Sequence, residues 1–493
     1  MDGQQADGTR VAQVMGLVRH RIERRLLTPG ARLPSIRAMA EAAGVSKSTV
    51  VEAYDRLHAE GVVRSRPGAG FYVAAPLAPL SLDVPTSEGA RMVDPIGMLR
   101  ASLEQDQAAL SPGCGWLPAA WMPEDLVRRA LRAVAREGSV EMLFDYDSPL
   151  GHAPIRAYVA RRMAEQDIGV SPAQILTTDS GSHALDLICR FLLRPGDTVM
   201  VDDPCYFNFL ALLRAHQVRV VGVPYLADGP DVAAFDRVAA ACRPRLYITN
   251  SAIHNPTGAV LSPVVAHRVL RLAEAHDIII VEDDIFADFE ATPAARLATF
   301  DGLERVVRIG SFSKTVSAAF RCGYIAVRPD WVEGLVDLRV ASSIASGRLA
   351  AGICHAVLTD SGYRRHVGQM RARLDQCRAR VTARLKRLGL TPTVEPDSGP
   401  FLWCRLPDGL AATDVARRAL AHGVILAPGN LFSADGIAAD CLRFNVARMD
   451  DEKVYRVLAE AVGRPGFHPG PAKGGAFGNP FFNPSISGIP GMK

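Results

Sequence analysis

Lys314 stands in the run Ser311-Phe312-Ser313-Lys314-Thr315, entered from the apolar Val306-Val307-Arg308-Ile309 and followed by Arg321. A strand that ends in a hydroxyl-rich turn can aim a lysine amine at a bound carbonyl, and such an amine can form a Schiff base. The hydroxyls of Ser311 and Ser313, with the Arg321 guanidinium, can hold a phosphate beside that carbonyl. An aldehyde next to a phosphate describes pyridoxal 5'-phosphate. Alone, the pentapeptide reads equally as a polar loop with a solvated lysine, so the elements around it decide.

Those elements are short apolar runs: Ile175-Leu176-Thr177, 198–201, 218–223, 246–249, 278–281, 306–309 and 324–327. Helical stretches lie between most of them, which predicts an α/β layer with a largely parallel sheet and ligands at the carboxyl ends of its strands. The polar residues just past each run are therefore the candidates. Ser182 and His183, in Asp179-Ser180-Gly181-Ser182-His183, open a helix whose first N–H groups suit a phosphate, unless the turn is an ordinary N-cap. Tyr206 can lie on a pyridine ring or be a core tyrosine. Asn255, in His254-Asn255-Pro256-Thr257-Gly258, can donate to a phenolic oxygen or shape a plain turn. One of the carboxylates of Glu282-Asp283-Asp284 can keep a pyridine nitrogen protonated; solvated loop acids or a metal site are the alternatives.

Composition narrows the class. With 493 residues, two or three domains are expected. No apolar run approaches the ~20 residues of a membrane span, and Met1 to Arg10 has no apolar signal core, so a cytoplasmic protein is expected. The nine cysteines are odd in number and never spaced Cys-x-x-Cys, which argues against a disulfide framework and a zinc site; no metal is expected. The net charge of +4 is confined to the N-terminus: residues 1–75 hold 11 Lys/Arg against 7 Asp/Glu, and the remainder holds 45 of each. A basic arm on a neutral body suits a polyanionic partner.

Within residues 11–75, Val14, Leu17, Val18, Ile22 and Leu26 recur at helical spacing before Thr28-Pro29-Gly30. Ser35 can cap a second helix that ends at Gly44, and Ser46 a third with Val50, Tyr54 and Leu57 as its core stripe. Residues 62–73 read as a hairpin with a glycine-rich tip. Residues 76–91 are a proline-rich linker, 92–463 the large domain and 464–493 a tail with seven glycines, six prolines and four phenylalanines, expected to be flexible.

Through Leu33-Pro34-Ser35-Ile36-Arg37, Val45-Ser46-Lys47-Ser48-Thr49-Val50 and Arg66-Pro67-Gly68, the N-terminal segment resembles the winged helix-turn-helix of GntR-type regulators. The resemblance implies double-stranded DNA as partner, touched by Arg37, Lys47, Ser48, Thr49 and Arg66. The body resembles the fold-type I aminotransferases, an α/β fold with a small C-terminal α+β subdomain. That implies Lys314 as the Schiff-base residue and Asp283 on the ring nitrogen. It further implies Asn255 on the ring oxygen, Tyr206 on the ring face, and Ser182, Ser311, Ser313 and Arg321 on the phosphate. Arg443, in Leu442-Arg443-Phe444-Asn445, would clamp a substrate carboxylate. Tyr146 matches a residue that reaches the partner subunit's cofactor, which implies a homodimer. Where the family usually has a tyrosine two or three residues after the ring-nitrogen aspartate, this chain has Ile285 and Phe286, a hint against efficient transamination.

A winged helix ahead of an aminotransferase-like body resembles the MocR-type branch of the GntR regulators. The implied function is a pyridoxal-phosphate-dependent transcription regulator that senses an amino compound, or the cofactor itself, through Lys314. The alternatives are a working aminotransferase acting on an α-amino acid, and a dimerising module without cofactor.

Overall fold

The computed structural model describes residues 4–23, 27, 31–66, 70–74 and 110–464, in two compact units that divide between Pro85 and Thr86. The expected linker, and the tail beyond Arg464, lie outside the described residues.

In the first unit, α1 (Gln4–Glu23), α2 (Ile36–Ala43) and α3 (Lys47–Ala59) precede a hairpin of β1 (Val63–Arg66) and β2 (Gly70–Val73). Ser35 Oγ accepts from the Ala38 N–H at 3.2 Å and Ser46 Oγ from the Thr49 N–H at 3.2 Å, so each hydroxyl satisfies an orphan donor of a helix start. Gly44 ends α2 in the left-handed region at φ 65°, where a side chain would be strained. The core joins Val11, Val14 and Val18 of α1 to Val50, Tyr54 and Leu57 of α3. Leu17 departs from the expected stripe and is exposed: Val11-Val14-Val18 already fill the inward face, and Leu17 lies off its edge.

The second unit is built on an eight-stranded sheet. Its strands are β3 (Ile175–Thr178), β4 (Thr198–Asp203), β5 (Arg219–Leu226), β6 (Gly229–Pro230), β7 (Leu246–Thr249), β8 (Ile279–Asp283), β9 (Val306–Ser311) and β10 (Gly323–Ala326), in the order β3-β10-β9-β8-β7-β4-β5-β6. The pairs β5-β4-β7-β8-β9 are parallel, and β10 runs antiparallel to both β9 and β3. Alternate residues feed two separate cores: Leu176, Val201, Ile248 and Ile309 one, Ile175, Met200, Tyr247 and Val306 the other. A sheet buried on both faces needs such unbroken apolar runs, which is why the sequence shows no polar alternation there.

A smaller antiparallel sheet holds β11 (Thr391–Pro392), β12 (Phe401–Arg405), β13 (Ala427–Pro428) and β14 (Cys441–Asn445) in the order β11-β12-β14-β13. The segment from Leu110 docks beside it: the Ile425 N–H donates to Leu110 O at 2.8 Å and the Gly113 N–H to Ile425 O at 3.0 Å. This stretch enters the site that both sheets frame.

Candidate cofactor site and DNA interface

Strand β9 delivers Lys314 three residues past its last residue, half-buried, with Nζ donating to the Gly115 carbonyl at 2.9 Å. Burial lowers its pKa to about 8; the Arg443 and Arg321 cations act in the same sense, the Cys114 thiol and Asp283 against it. Asp283 ends β8, and burial pushes its carboxyl up to about 7 although its Oδ1 accepts from the Ile285 N–H at 3.1 Å. Its neighbours are engaged elsewhere. Asp284 pairs with Arg308 and with Arg296 at 3.2 Å, and the two guanidinia hold it below its usual value against the effect of burial. Glu282 accepts from Ser251 Oγ at 2.5 Å and from the N–H groups of Leu297 and Ala298 at 2.7 and 3.1 Å. Of the three, only Asp284 has arginine ion pairs among the described residues, and Asp283 has Lys314 as its cationic neighbour.

Arg443, on the central strand β14, is fully buried, its guanidinium 4.6 and 4.7 Å from the ring centroids of Phe401 and Phe432. Desolvation lowers its pKa to about 10. Nη1 donates to Asn255 Oδ1 at 2.9 Å and Nη2 to the Gly113 carbonyl at 2.6 Å, while Nε has no partner among the described residues. The bond to Oδ1 fixes the Asn255 amide so that its NH2 end remains to donate. Half-buried Tyr206 has Arg443 and Asp283 as its charged neighbours, and burial raises its phenol pKa. Lys314, Asp283, Asn255, Arg443 and Tyr206 thus converge.

The sequence reading missed the segment Gly113-Cys114-Gly115-Trp116. Its carbonyls serve Arg443 and Lys314, and Asn445 Nδ2 clamps it by donating to Cys114 O and Trp116 O at 3.1 and 3.0 Å. Two glycines around a cysteine were the only signal.

At the other end of the site, Ser180 caps the helix Gly181–Leu192, its Oγ accepting from the His183 N–H at 3.0 Å. Gly323 packs against this helix start so closely that a Cβ there would lie 2.6 Å from Ser180 C and 3.0 Å from Gly181 N. Ser311 Oγ donates to the Cys322 carbonyl at 3.0 Å and lies 3.2 Å from Ser313 Oγ. Arg321 adopts φ 49° and is exposed, as is Ser182, whose Oγ accepts from Asn208 Nδ2 at 3.1 Å. His183 Nδ1 lies 3.3 Å from Asp179 Oδ2, on the strand side of the turn. Tyr146 is exposed, beside the exposed Leu143 and Phe144. A helix start, two serines and an arginine suit a phosphate, an acid near neutrality suits a pyridine nitrogen, and an orphaned guanidinium Nε suits a carboxylate. The residues fit pyridoxal phosphate.

In the first unit, Arg37, Lys47, Ser48 and Arg64 are exposed. Arg37, Lys47 and Arg64 have no ion pair among the described residues, whereas Arg19 and Arg56 pair with Glu60 and Glu52. Thr49 departs from its expected role: it is buried, its Oγ1 2.8 Å from the capping Ser46 Oγ, because the fourth residue of an N-cap turns toward the cap. Arg66 lies on β1 with its side chain outside the described residues.

Residues 119–461 match the class I and II aminotransferases, and residues 10–73 the bacterial regulatory proteins of the gntR family. The probable rhizopine catabolism regulatory protein MocR of Rhizobium meliloti is 31% identical over 80% of this chain and 82% of its own. The chain belongs to the MocR-type GntR regulators. Other similar proteins include the uncharacterized HTH-type transcriptional regulator YdcR of Escherichia coli, 28% identical over 88% of this chain and 94% of its own. The solved α-aminoadipate aminotransferase LysN of Thermus thermophilus, complexed with N-(5'-phosphopyridoxyl)-L-leucine, superposes with TM-score 0.68 at 27% identity, covering 78% of this chain and 98% of that one. The body has a fold-type I aminotransferase architecture, whose cofactor is pyridoxal phosphate. Among the described residues, no helix is long and apolar enough to cross a membrane.

Proposed function

We propose that this regulator reads an amino compound, or pyridoxal phosphate itself, at Lys314 and that occupancy there alters its grip on double-stranded DNA. The observation that carries the reading is the convergence of Lys314, Asp283, Asn255 and Arg443 at one site, in a chain that also carries a winged helix. When bound, the cofactor supplies an aldehyde that condenses with an amine and a pyridine ring that withdraws electrons.

The residues of this chain do the rest. Lys314 offers a partly neutral amine, and Asp283 holds a proton-accepting carboxylate for the ring nitrogen. Asn255, oriented by Arg443, donates to the ring oxygen. Tyr206 covers the ring face, and Ser182, His183, Ser311, Ser313 and Arg321 surround the phosphate. Arg443 takes the effector's carboxylate through its free Nε and by sharing Nη2 with Gly113 O. A carboxylate at Arg443 and a carbonyl at Lys314 both compete with the segment 113–115, which links site occupancy to that segment's placement. Ile285 and Phe286 offer no hydroxyl to the ring oxygen, which favours sensing over turnover. DNA is met by Arg37, Lys47, Ser48 and Arg66. The protein works in the cytoplasm as a homodimer in which Tyr146 reaches the partner's site.

Reconstitution with pyridoxal phosphate should give a visible absorption band in the wild type that Lys314→Ala lacks; a wild type that stays colourless overturns the cofactor role. Single-turnover mixing with a panel of amino acids should show slow loss of that band. Fast conversion, together with failure to bind DNA, would instead favour an α-amino acid aminotransferase.

A further inference from the structure

Away from the cofactor, a cavity of about 790 Å³ opens between the end of helix Ala153–Ala164, the start of helix Ser361–Arg387 and Asp288. Arg161, Arg162, Arg364 and Arg371 line it. Their acids do not balance them. Arg162 meets Asp288 at 2.8 Å and Glu165 at 3.6 Å, and Arg364 must use the same Glu165 at 3.8 Å. Asp360, the third acid of the wall, is held by Arg129 at 3.0 Å. Arg371 donates to the backbone carbonyl of Asp288 at 2.7 Å, and Arg161 lies over the Tyr158 ring, 5.4 Å from its centroid. Neither forms an ion pair among the described residues. The wall also carries apolar surface, from Leu358 and Val367. Concave space of this size with a few convergent charges is what small organic ligands occupy.

An adjoining chamber also lacks an acceptor. Arg308 is 2% exposed, and its Nε and Nη1 have no partner among the described residues. It lines an inner chamber of about 40 Å³ that shares Tyr158, Arg162 and Asp288 with the cavity. Buried unpaired guanidinium donors are costly and call for an acceptor or water. The cavity floor also touches the cofactor loop. Asp288 Oδ2 lies 3.3 Å from Thr315 Oγ1, and Tyr363 Oη donates to Thr315 Oγ1 at 2.8 Å, one residue from Lys314.

We propose that this cavity is a second ligand site, for a small organic dianion of the phosphate-ester class, with Arg161 and Arg371 as its uncommitted cations. The site is independent of what Lys314 binds. The test is calorimetric titration of the full chain, saturated with pyridoxal phosphate so that the cofactor's own phosphate fills the cradle, using phenyl phosphate and inorganic phosphate as probes. Saturable binding is expected, tighter for phenyl phosphate. Arg161→Ala and Arg371→Ala should each weaken it about tenfold or more at unchanged melting temperature, and Arg321→Ala should leave it intact. Absence of saturable heat overturns the proposal, as does affinity equal to that of the wild type in both cavity variants. Loss of binding in Arg321→Ala would assign the anion to the cofactor cradle and overturn it too. The same titration on cofactor-free protein keeps the outcome separate from that of the Lys314 reading, because the cavity variants respond whether or not the cofactor binds.

Discussion

Uptake of pyridoxal phosphate by the cofactor-free chain, followed against pH, distinguishes a buried lysine from a solvated one. At pH 7.5 a lysine amine with its ordinary value is neutral in about one molecule in a thousand. One lowered to about 8 is neutral in roughly one in four, so the reactive amine is more abundant by about two hundredfold. Stopped-flow absorbance should therefore show the uptake rate rising tenfold per pH unit and levelling near pH 8. Arg443→Met removes a cation that lowers the value and should move the inflection up; Asp283→Asn removes an anion that raises it and should move it down. The folded pKa lies below the unfolded one, so the destabilisation is full below pH 8 and disappears as pH rises from about 8 to the ordinary lysine range. Lys314→Met should thus stabilise the cofactor-free chain at pH 7 by about 2 kcal/mol, after allowance for the lost bond to Gly115 O. An inflection at or above pH 10, or variant shifts of the opposite sign, would refute a desolvated Lys314.

Three further outcomes are expected. Arg443→Met should keep the cofactor band yet weaken carboxylate-bearing effectors by about a hundredfold, read by titrating the band, since a charge-assisted pair is lost. Asp284→Asn should destabilise the large unit by about 3 kcal/mol in urea, because it strands the buried Arg308 and leaves Arg296 with Glu290 as its one carboxylate; Glu274→Gln, whose pair with Arg271 is exposed, should change little. Lys47→Ala and Arg37→Ala should each reduce the slope of log affinity against log salt by about one, whereas Thr49→Ser, buried against its cap, should leave that slope unchanged.

The seven apolar runs were legible as strands because a sheet buried on both faces demands them, and the residues past their ends were legible because parallel strands gather at one edge. Direction was not: the run at 324–327 looks like its neighbours, yet β10 is antiparallel, which depends on how the short turn after Lys314 returns. Only the family resemblance separates Asp283 from Asp284; the physical basis, that Arg296 and Arg308 converge on Asp284 from later in the chain, lies in tertiary contacts no local pattern encodes. Gly113 and Gly115 were invisible because they act through backbone carbonyls. Thr49 was misread because its motif position says nothing about which way a capped turn directs the hydroxyl.

Coupling between a small molecule at Lys314 and DNA has a direct readout. The measurement is fluorescence anisotropy of the full chain on the promoter fragment beside its own gene, with pyridoxal phosphate and a panel of amino compounds. Wild type should bind, and at least one compound should change its affinity several-fold, while Lys314→Ala should bind the same fragment without responding. A response that persists unchanged in Lys314→Ala, or no binding by wild type under any of these conditions, would contradict it.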